Sequence, residues 1–309
     1  MNQNLIVVSG TANRDLAGAI ARSLDVDLAK CCVERFPDTE VNVELGESVR
    51  ERRVFIIQSS CPPVDQHTME AFAIADACRR AAAAAVTWVA PYFGYARADK
   101  RKGRRCALMG RLIADFAERA GISQLIAVDL HSPQVEGFFH APVENLTAVP
   151  VIADALKEDL PAESVIVSPD AGGIKLASAY GARLSCPVAV LHKERLDGAK
   201  TAITRVVGAG RGRPCVIVDD MISTGGTIKN AIEVLLQAGA SGGITVAATH
   251  PVFTLEAPQN LSHPAIQQIV VTDSIPISPN DWPRGRGVKV VSLAPLLAST
   301  IRHDVCATR

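Results

Sequence analysis

Residues 213–229 read RPCVIVDDMISTGGTIK, and they carry the most chemistry per residue in the chain. Two carboxylates, Asp219 and Asp220, follow a short Val/Ile run, and Ser223, Thr224, Gly225, Gly226 and Thr227 come next. A Gly/Ser/Thr turn at a helix start exposes successive backbone N–H groups, which can cradle a phosphate without a cation. Glycine lets the backbone come close to the anion. The two acids would repel a phosphate, but they accept hydrogen bonds from hydroxyls. One loop could therefore hold a pentose 5-phosphate, with the phosphate on residues 223–227 and the ribose hydroxyls on Asp219 and Asp220. The same composition also fits an ordinary strand–turn–helix whose acids are solvated or cap the helix.

Other residues have suggestive spacing. Asp129 and His131 follow the apolar run 125–128, and residues i and i+2 share a side of an extended segment. Either could meet a metal ion or a phosphate, but the residues by themselves favour a His satisfied by a nearby polar group. Lys193 and Arg195 have the same spacing within His192-Lys193-Glu194-Arg195. Such a pair could grip a diphosphate, or sit as a solvated charged turn. Residues 100–105, KRKGRR, hold five cations in six positions. Read from composition, that run is a basic loop in solvent.

The elements that must position these groups alternate along the chain. Strands are predicted at 5–8, Val41–Leu45, 54–58, 87–90 and 125–128, and helices at Arg14–Leu24, 68–84 and 108–120, the last ending on a Gly121 C-cap. From about residue 145–150 the grammar repeats. Helices are expected at 151–160, 174–180 and 228–238, and strands at 165–167, 188–191, 215–218, 243–249 and 269–272. Alternation of this kind argues α/β architecture with mostly parallel sheets, and ligands of such sheets bind beyond the strand ends. A length of 309 residues suggests two domains. Hydrophobic content of 48% and charged content of 21% fit a soluble globular protein. Zero net charge offers no global field for nucleic acid or an anionic membrane. The eight cysteines lack metal-binding spacings and read as reduced, mostly buried thiols of a cytoplasmic protein. No apolar run reaches the ~18–20 residues of a membrane span, and the N-terminus lacks the basic flank of a signal peptide.

The stretch 213–229 closely resembles the binding signature for 5-phosphoribosyl 1-diphosphate (PRPP) of the type I phosphoribosyltransferase fold. That signature is shared by phosphoribosyltransferases and PRPP synthetases (ribose-phosphate diphosphokinases). Further segments resemble the synthetases. RFPDTE at 35–40 is similar to their nucleotide loop, and APYFGYARADK at 90–100 to their PYFGYARQDR segment. DLHSPQVEGFF at 129–139 looks like a synthetase segment that transferases lack. VSPDAGG at 167–173, HKER at 192–195, THPVF at 249–253 and VTDSIP at 271–276 follow in the family's order, so the resemblance covers nearly the whole chain.

The resemblance implies two phosphoribosyltransferase-type domains, 1–147 and 148–309, with mostly parallel central sheets flanked by helices. The last helix could pack back on the first domain. It implies transfer of a diphosphoryl group from Mg²⁺-bound ATP to O1 of ribose 5-phosphate, giving PRPP and AMP. Matching positions make Lys193 and Arg195 the catalytic pair, with Arg195 also at the sugar phosphate. Phe36, Asp38, Thr39, Glu40, Arg97, Ala98, Asp99 and His131 become the ATP contacts. His131 and Asp170 become the metal-associated residues, and Asp219, Asp220, Ser223, Thr224, Gly225, Gly226 and Thr227 the ribose 5-phosphate site. Three departures accompany this match. Ala98 stands where the family has Gln, Ser223 where it commonly has Asp, and RRCALMGR at 104–111 differs from the usual mobile-loop sequence. The family assembles as dimers building hexamers, and partners other than substrates and copies of itself are not implied. Two other readings stay open. A PRPP-consuming transferase would explain VDDMISTGGT alone. A non-catalytic regulatory homologue would typically lose residues such as Lys193, Arg195, His131 or Asp170, which this chain keeps.

Overall fold

β1 (Leu5–Ser9) is apolar at almost every position, so it needs cover on both faces, as strands of parallel sheets do. In the computed structural model the chain forms two units, and residues 4–101, 103–196, 200–208, 210–241, 243–277 and 287–307 are described. For 193–196, 200–205 and 307 the description extends to the backbone alone.

The first unit holds Met1–Thr147, Ser274–Pro276 and Ser292–Arg309. After β1 come α1 (Arg14–Leu24), β2 (Cys31–Arg35), β3 (Val41–Leu45) and β4 (Arg53–Ile57). α2 (Val64–Arg80), β5 (Ala85–Ala90), α3 (Met109–Ala120), β6 (Gln124–Val128) and β7 (Val143–Leu146) follow. The sheet order is β1-β4-β5-β6-β7, with every pairing parallel. α1 forms where expected because Leu16, Ala17, Ile20, Ala21 and Leu24 make one buried stripe and the Asn13 side chain caps the Leu16 N–H. The core centres on Trp88, which meets Phe72 edge-on at 5.9 Å and Phe93 at 5.4 Å. Burying one such side chain stabilises by roughly 1.5–3 kcal/mol. β2 and β3 form a separate antiparallel hairpin whose ladder ends at Arg35 opposite Val41, and β3 packs on α2.

α2 differs from the expected helix at 68–84. It starts at Val64 and stops at Arg80, and Ala82 takes φ 61°. Alanine favours helix by propensity, but the Ala83 N–H bonds to Cys78 O and the Ala84 N–H to Arg52 O. The turn leading into β5 overrides propensity.

The second unit holds Ala148–Asp273 and Ile277–Val291. Its elements are α4 (Val149–Lys157), β8 (Val165–Ser168), α5 (Ile174–Leu184), β9 (Val188–Leu196), β10 (Lys200–Val207) and β11 (Cys215–Ile222). α6 (Gly226–Gln237), β12 (Ile244–Pro251), α7 (Ala257–Asn260), β13 (Ile266–Thr272) and β14 (Val288–Val291) complete it. The sheet order is β10-β9-β8-β11-β12-β13-β14, parallel except for the β9–β10 pairing. Val167, Ile217, Val246 and Val271 lie in its core with Ile228 and Ile232 of α6.

α8 (Ala294–Ala307) belongs to the first unit and packs on α1. The Arg53 guanidinium donates to the Asp304 carboxylate at 2.6 Å, and the Arg302 guanidinium to Ser23 O at 2.6 Å. Among the described residues, no helix is long and apolar enough to cross a membrane. All eight cysteines are free thiols, but the expectation that most are buried is corrected: Cys61, Cys78 and Cys215 are buried, Cys31 and Cys186 half-buried, and Cys32, Cys106 and Cys306 exposed. Cys32 is exposed because β2 alternates outward, Cys106 because it precedes α3 in a loop, and Cys306 because it lies in the last turn of α8.

Candidate active site

The acidic pair lies inside β11 rather than after it, which corrects the strand end expected at Val218. The reason is register. Pairing with β12 continues through Asp219 opposite Ala248 to Ile222 opposite Pro251, while pairing with β8 stops at Ile217. From Val218 onward one edge of β11 is therefore released from its β8 neighbour. Asp219 lies there largely removed from water. Burial, then the neighbouring Asp220 carboxylate, then the charge of Asp170 push its pKa up to about 8. Its Oδ1 accepts the Asp220 N–H at 3.0 Å.

Asp170 sits just beyond β8. Its Oδ1 accepts the N–H groups of Gly172 at 2.9 Å and Gly173 at 3.2 Å, which tightens the turn into α5. Its backbone carbonyl accepts the Ser168 hydroxyl.

The turn after β11 has the geometry an anion asks for. Gly225 takes φ 75°, where an L side chain is strained, and a Cβ there would stand 3.1 Å from Leu261 Cγ. The Thr224 hydroxyl accepts the Gly226 N–H at 3.3 Å, the N-cap Gly225 has no side chain to offer, and no acid occupies the first turn of α6, so no carboxylate of that turn opposes the positive end of the helix dipole. Asn260 Nδ2 donates to Thr224 O at 2.9 Å and the Thr254 N–H to Ser223 O at 3.1 Å, holding the turn from outside. Thr224 and Thr227 are exposed, Ser223 and Gly226 half-buried, and Gly225 buried. The local sequence dictates this turn, since Gly-Gly supplies the left-handed residue and the close approach.

Lys193 and Arg195 also lie within a strand. The expected strand ended at Leu191, but pairing with β10 carries β9 to Leu196, with Lys193 opposite Ile203 and Arg195 opposite Thr201. The ladder supplies backbone bonds that a run of charges does not advertise. The side chains of both residues lie outside the description.

The nucleotide candidates occupy the first unit. Phe36, Asp38, Thr39 and Glu40 form the tip of the β2–β3 hairpin, and all are exposed, Phe36 at 51%. The Phe36 N–H donates to Glu40 O, the Thr39 N–H to Phe36 O with Thr39 at φ 76°, and the Glu40 N–H to Asp38 Oδ1. Arg97, Ala98 and Asp99 follow β5 on an arm that turns at Tyr95, whose φ is 63°. The Ala98 carbonyl accepts the Gly110 N–H near the start of α3. His131, exposed, precedes Ser132, and the Ser132 hydroxyl donates to Asp99 at 2.8 Å. The first unit thus brings Asp99 and the His131 loop together. A cavity of about 540 Å³ opens beside the arm, lined by Tyr95, Arg97, Ala98, Lys100 and Cys106 among others. In the basic run, Lys102 lies outside the described residues.

Sequence reading did not single out Tyr95, Asp65, Ser132 or Cys106. The Tyr95 hydroxyl donates to the Asp65 carboxylate, which raises the phenol's pKa. Ser132 was legible only as part of DLHSPQ, and Asp65 carried no local signal. Among the described residues, no three His, Cys, Asp or Glu side chains gather into a metal cage.

The second unit carries a candidate phosphate cradle beside half-buried acids and the first an exposed hairpin and a basic arm, and known proteins resemble the chain over nearly its whole length. Residues 5–121 match the family model for the N-terminal domain of ribose phosphate pyrophosphokinase, and residues 197–305 that of the phosphoribosyl synthetase-associated domain. A ribose-phosphate pyrophosphokinase of Ralstonia nicotianae is 39% identical over 98% of this chain and 96% of its own length. One of Burkholderia pseudomallei is 38% identical over 97% and 94%. The crystal structure of phosphoribosylpyrophosphate synthetase from Mycobacterium smegmatis superposes with a TM-score of 0.90 at 36% identity, covering 97% of this chain and 98% of that one. Agreement this long, in sequence and in fold, shows that the chain belongs to the ribose-phosphate pyrophosphokinase family.

Proposed function

We propose that the chain transfers the β,γ-diphosphoryl group of ATP to O1 of ribose 5-phosphate, giving PRPP and AMP. The observation that carries this reading is the acid-free start of α6 behind the left-handed Gly225, in the turn that follows the half-buried Asp219 and Asp220. It supports a ligand with an anion at one end and hydroxyls at the other. Ser223, Thr224, Gly225, Gly226 and Thr227 hold the 5-phosphate, and Asp219 and Asp220 accept from the ribose hydroxyls. Phe36, Asp38, Thr39 and Glu40 take the adenine, and Arg97, Ala98, Asp99 and His131 the rest of the nucleotide.

In the reaction the O1 hydroxyl oxygen bonds to the β-phosphorus, the bond from that phosphorus to the oxygen bridging to the α-phosphate breaks, and AMP leaves. The O1 proton passes to solvent. Such transfers depend on positioning and charge stabilisation more than on a strong base. Lys193 and Arg195 neutralise the moving diphosphate, and Arg195 also contacts the sugar phosphate. Mg²⁺ bound to the nucleotide phosphates, with His131 and Asp170 as its protein-side neighbours, would neutralise their oxygens. The free thiols support a cytoplasmic setting. Homo-oligomers built from dimers, as a hexamer, complete the reading. Leu112 at 38% exposure and Phe116 at 50% on α3 offer apolar surface for such contacts.

The test is incubation with Mg²⁺, ATP and ribose 5-phosphate, with and without inorganic phosphate, with products separated by chromatography. AMP and PRPP in equal amounts are expected. Bound ribose 5-phosphate without product would favour the regulatory homologue, and consumption of added PRPP with a base would favour the transferase.

A further inference from the structure

Glu70 is a buried acid in the middle of α2, only 3% exposed, outside every motif considered above. Its two oxygens serve two directions. Oε2 accepts from the Thr11 N–H at 3.2 Å, the Thr11 hydroxyl at 2.6 Å and Gln58 Nε2 at 2.9 Å. Oε1 accepts from Arg35 Nη2 at 2.8 Å. Gln58 is itself fully buried, and its Oε1 accepts the Ala12 N–H at 3.1 Å. Gly10 leaves room for this amide, since a Cβ there would come within 2.2 Å of Gln58 Oε1. Glu70 is thus fastened through Gln58 and Thr11 to the ends of β4 and β1.

Arg35 is the last residue of β2, and it is bonded at both ends of its fork. Nη1 donates to Thr39 O at 3.2 Å while Nη2 donates to Glu70. The hairpin tip at 36–40 is otherwise exposed, and its other hydrogen bonds within 36–40 are internal. A guanidinium fork between two acceptors fixes orientation as well as distance.

We propose that Glu70 is a positioning residue for the nucleotide, acting through Arg35 to hold the Phe36–Glu40 turn against the first sheet. This rests on the functional reading in which that turn takes the adenine. Glu70 touches no substrate. Its role is to keep the exposed turn in the shape that binds, so that nucleotide binding does not have to order it.

The experiment compares Glu70→Gln, Glu70→Asp, Arg35→Gln and the double variant Glu70→Gln/Arg35→Gln with the unaltered protein. Glu70→Gln and Arg35→Gln should each raise KM for MgATP about tenfold, the scale of one charge-assisted hydrogen bond. KM for ribose 5-phosphate should stay within about twofold, because residues 219–227 are untouched and the difference is below the resolution of one neutral bond. The double variant should be no worse than the worse single one, since both remove one link. Glu70→Asp keeps the charge and should recover part of the affinity. Hydrogen exchange reads the same bracing without turnover, and the amides of Phe36 and Thr39 should exchange faster in both single variants. Should Glu70→Gln fail to fold, Arg35→Gln carries the test, because that side chain is 30% exposed and its removal leaves Glu70 its Thr11 and Gln58 donors. Unchanged KM for MgATP with unchanged exchange would overturn the proposal, as would equal rises in both KM values. An unaltered protein without PRPP synthesis would instead sink the functional reading, and exchange at residues 36 and 39 would still decide the bracing.

Discussion

The Ser132 hydroxyl donates to the Asp99 carboxylate over 2.8 Å, which ties the arm carrying Arg97 to the loop carrying His131. The two residues are 33 positions apart and meet because β5 and β6 are parallel neighbours whose ends face the same way. Removing the hydroxyl leaves Asp99 without this fixed donor. Ser132→Ala should raise KM for MgATP about three- to tenfold, the worth of one hydrogen bond to a charged group. Steady-state kinetics would test it, and a rise confined to ribose 5-phosphate would refute the link.

Lys193 is proposed to act on the transferring group rather than to hold the sugar. Lys193→Ala should lower kcat by about 100-fold or more, as loss of a charge-stabilising donor does elsewhere. Calorimetric affinity for ribose 5-phosphate should be nearly unchanged. Normal turnover would remove Lys193 from the mechanism.

Asp219 links the site to pH. Its pKa is raised from 3.8 to about 8 by burial and its acidic neighbours, so the folded chain keeps a proton there that the unfolded chain releases. The folded state binds more protons between these values, so stability falls as pH rises through that window and the loss is complete above it. Below the lower value both states are protonated and the group contributes no difference. Asp219→Asn cannot ionise. Its melting temperature relative to the unaltered protein should therefore climb as pH rises across the window, in metal-free buffer. A difference flat with pH would contradict the assignment. The same substitution should weaken ribose 5-phosphate binding.

Gly225 at φ 75° holds a backbone that strains an L side chain, and a Cβ there would press on Leu261 Cγ at 3.1 Å. Gly225→Ala should cost about 1–2 kcal/mol from the left-handed conformation alone. Thermal melts would show the loss of stability, and titration the weaker ribose 5-phosphate binding. Full affinity in a stable variant would show that the turn tolerates another conformation.

Cys106 is exposed and shares a cavity of about 540 Å³ with Arg97 and Ala98. If ATP occupies that cavity, MgATP should slow alkylation at Cys106 and leave Cys32 and Cys306, also exposed, unaffected. Mass spectrometry of modified peptides would measure the rates. Equal rates with and without nucleotide would move the ATP site elsewhere.

Much of the fold is legible residue by residue. The bounds of α1 and β3 follow from their own patterns, because a 3.6-residue stripe and a strict alternation each select one backbone. β2 escaped because Cys31–Arg35 offers little apolar alternation until it is paired with β3. The strand character of His192 to Leu196 escaped for the same reason, since charges argue for a loop and only the β10 ladder argues otherwise. Glu70 did carry a signal, an acid four residues before Ile74 on the buried stripe of α2, but its partner could not be read.

The sequence by itself determined the Gly-Gly turn after the acidic pair, the alternating strands and helices, and the order of motifs that marks the family. These depend on backbone sterics and on periodicity, which act between near neighbours. Only the tertiary structure decided that Asp219 lies half-buried near the charge of Asp170, that Ser132 serves Asp99, and that Arg35 spans from Thr39 to Glu70. Desolvation and hydrogen bonding depend on distance through space, and residues 33 or 35 positions apart acquire a distance only when the sheet and its helices bring them together.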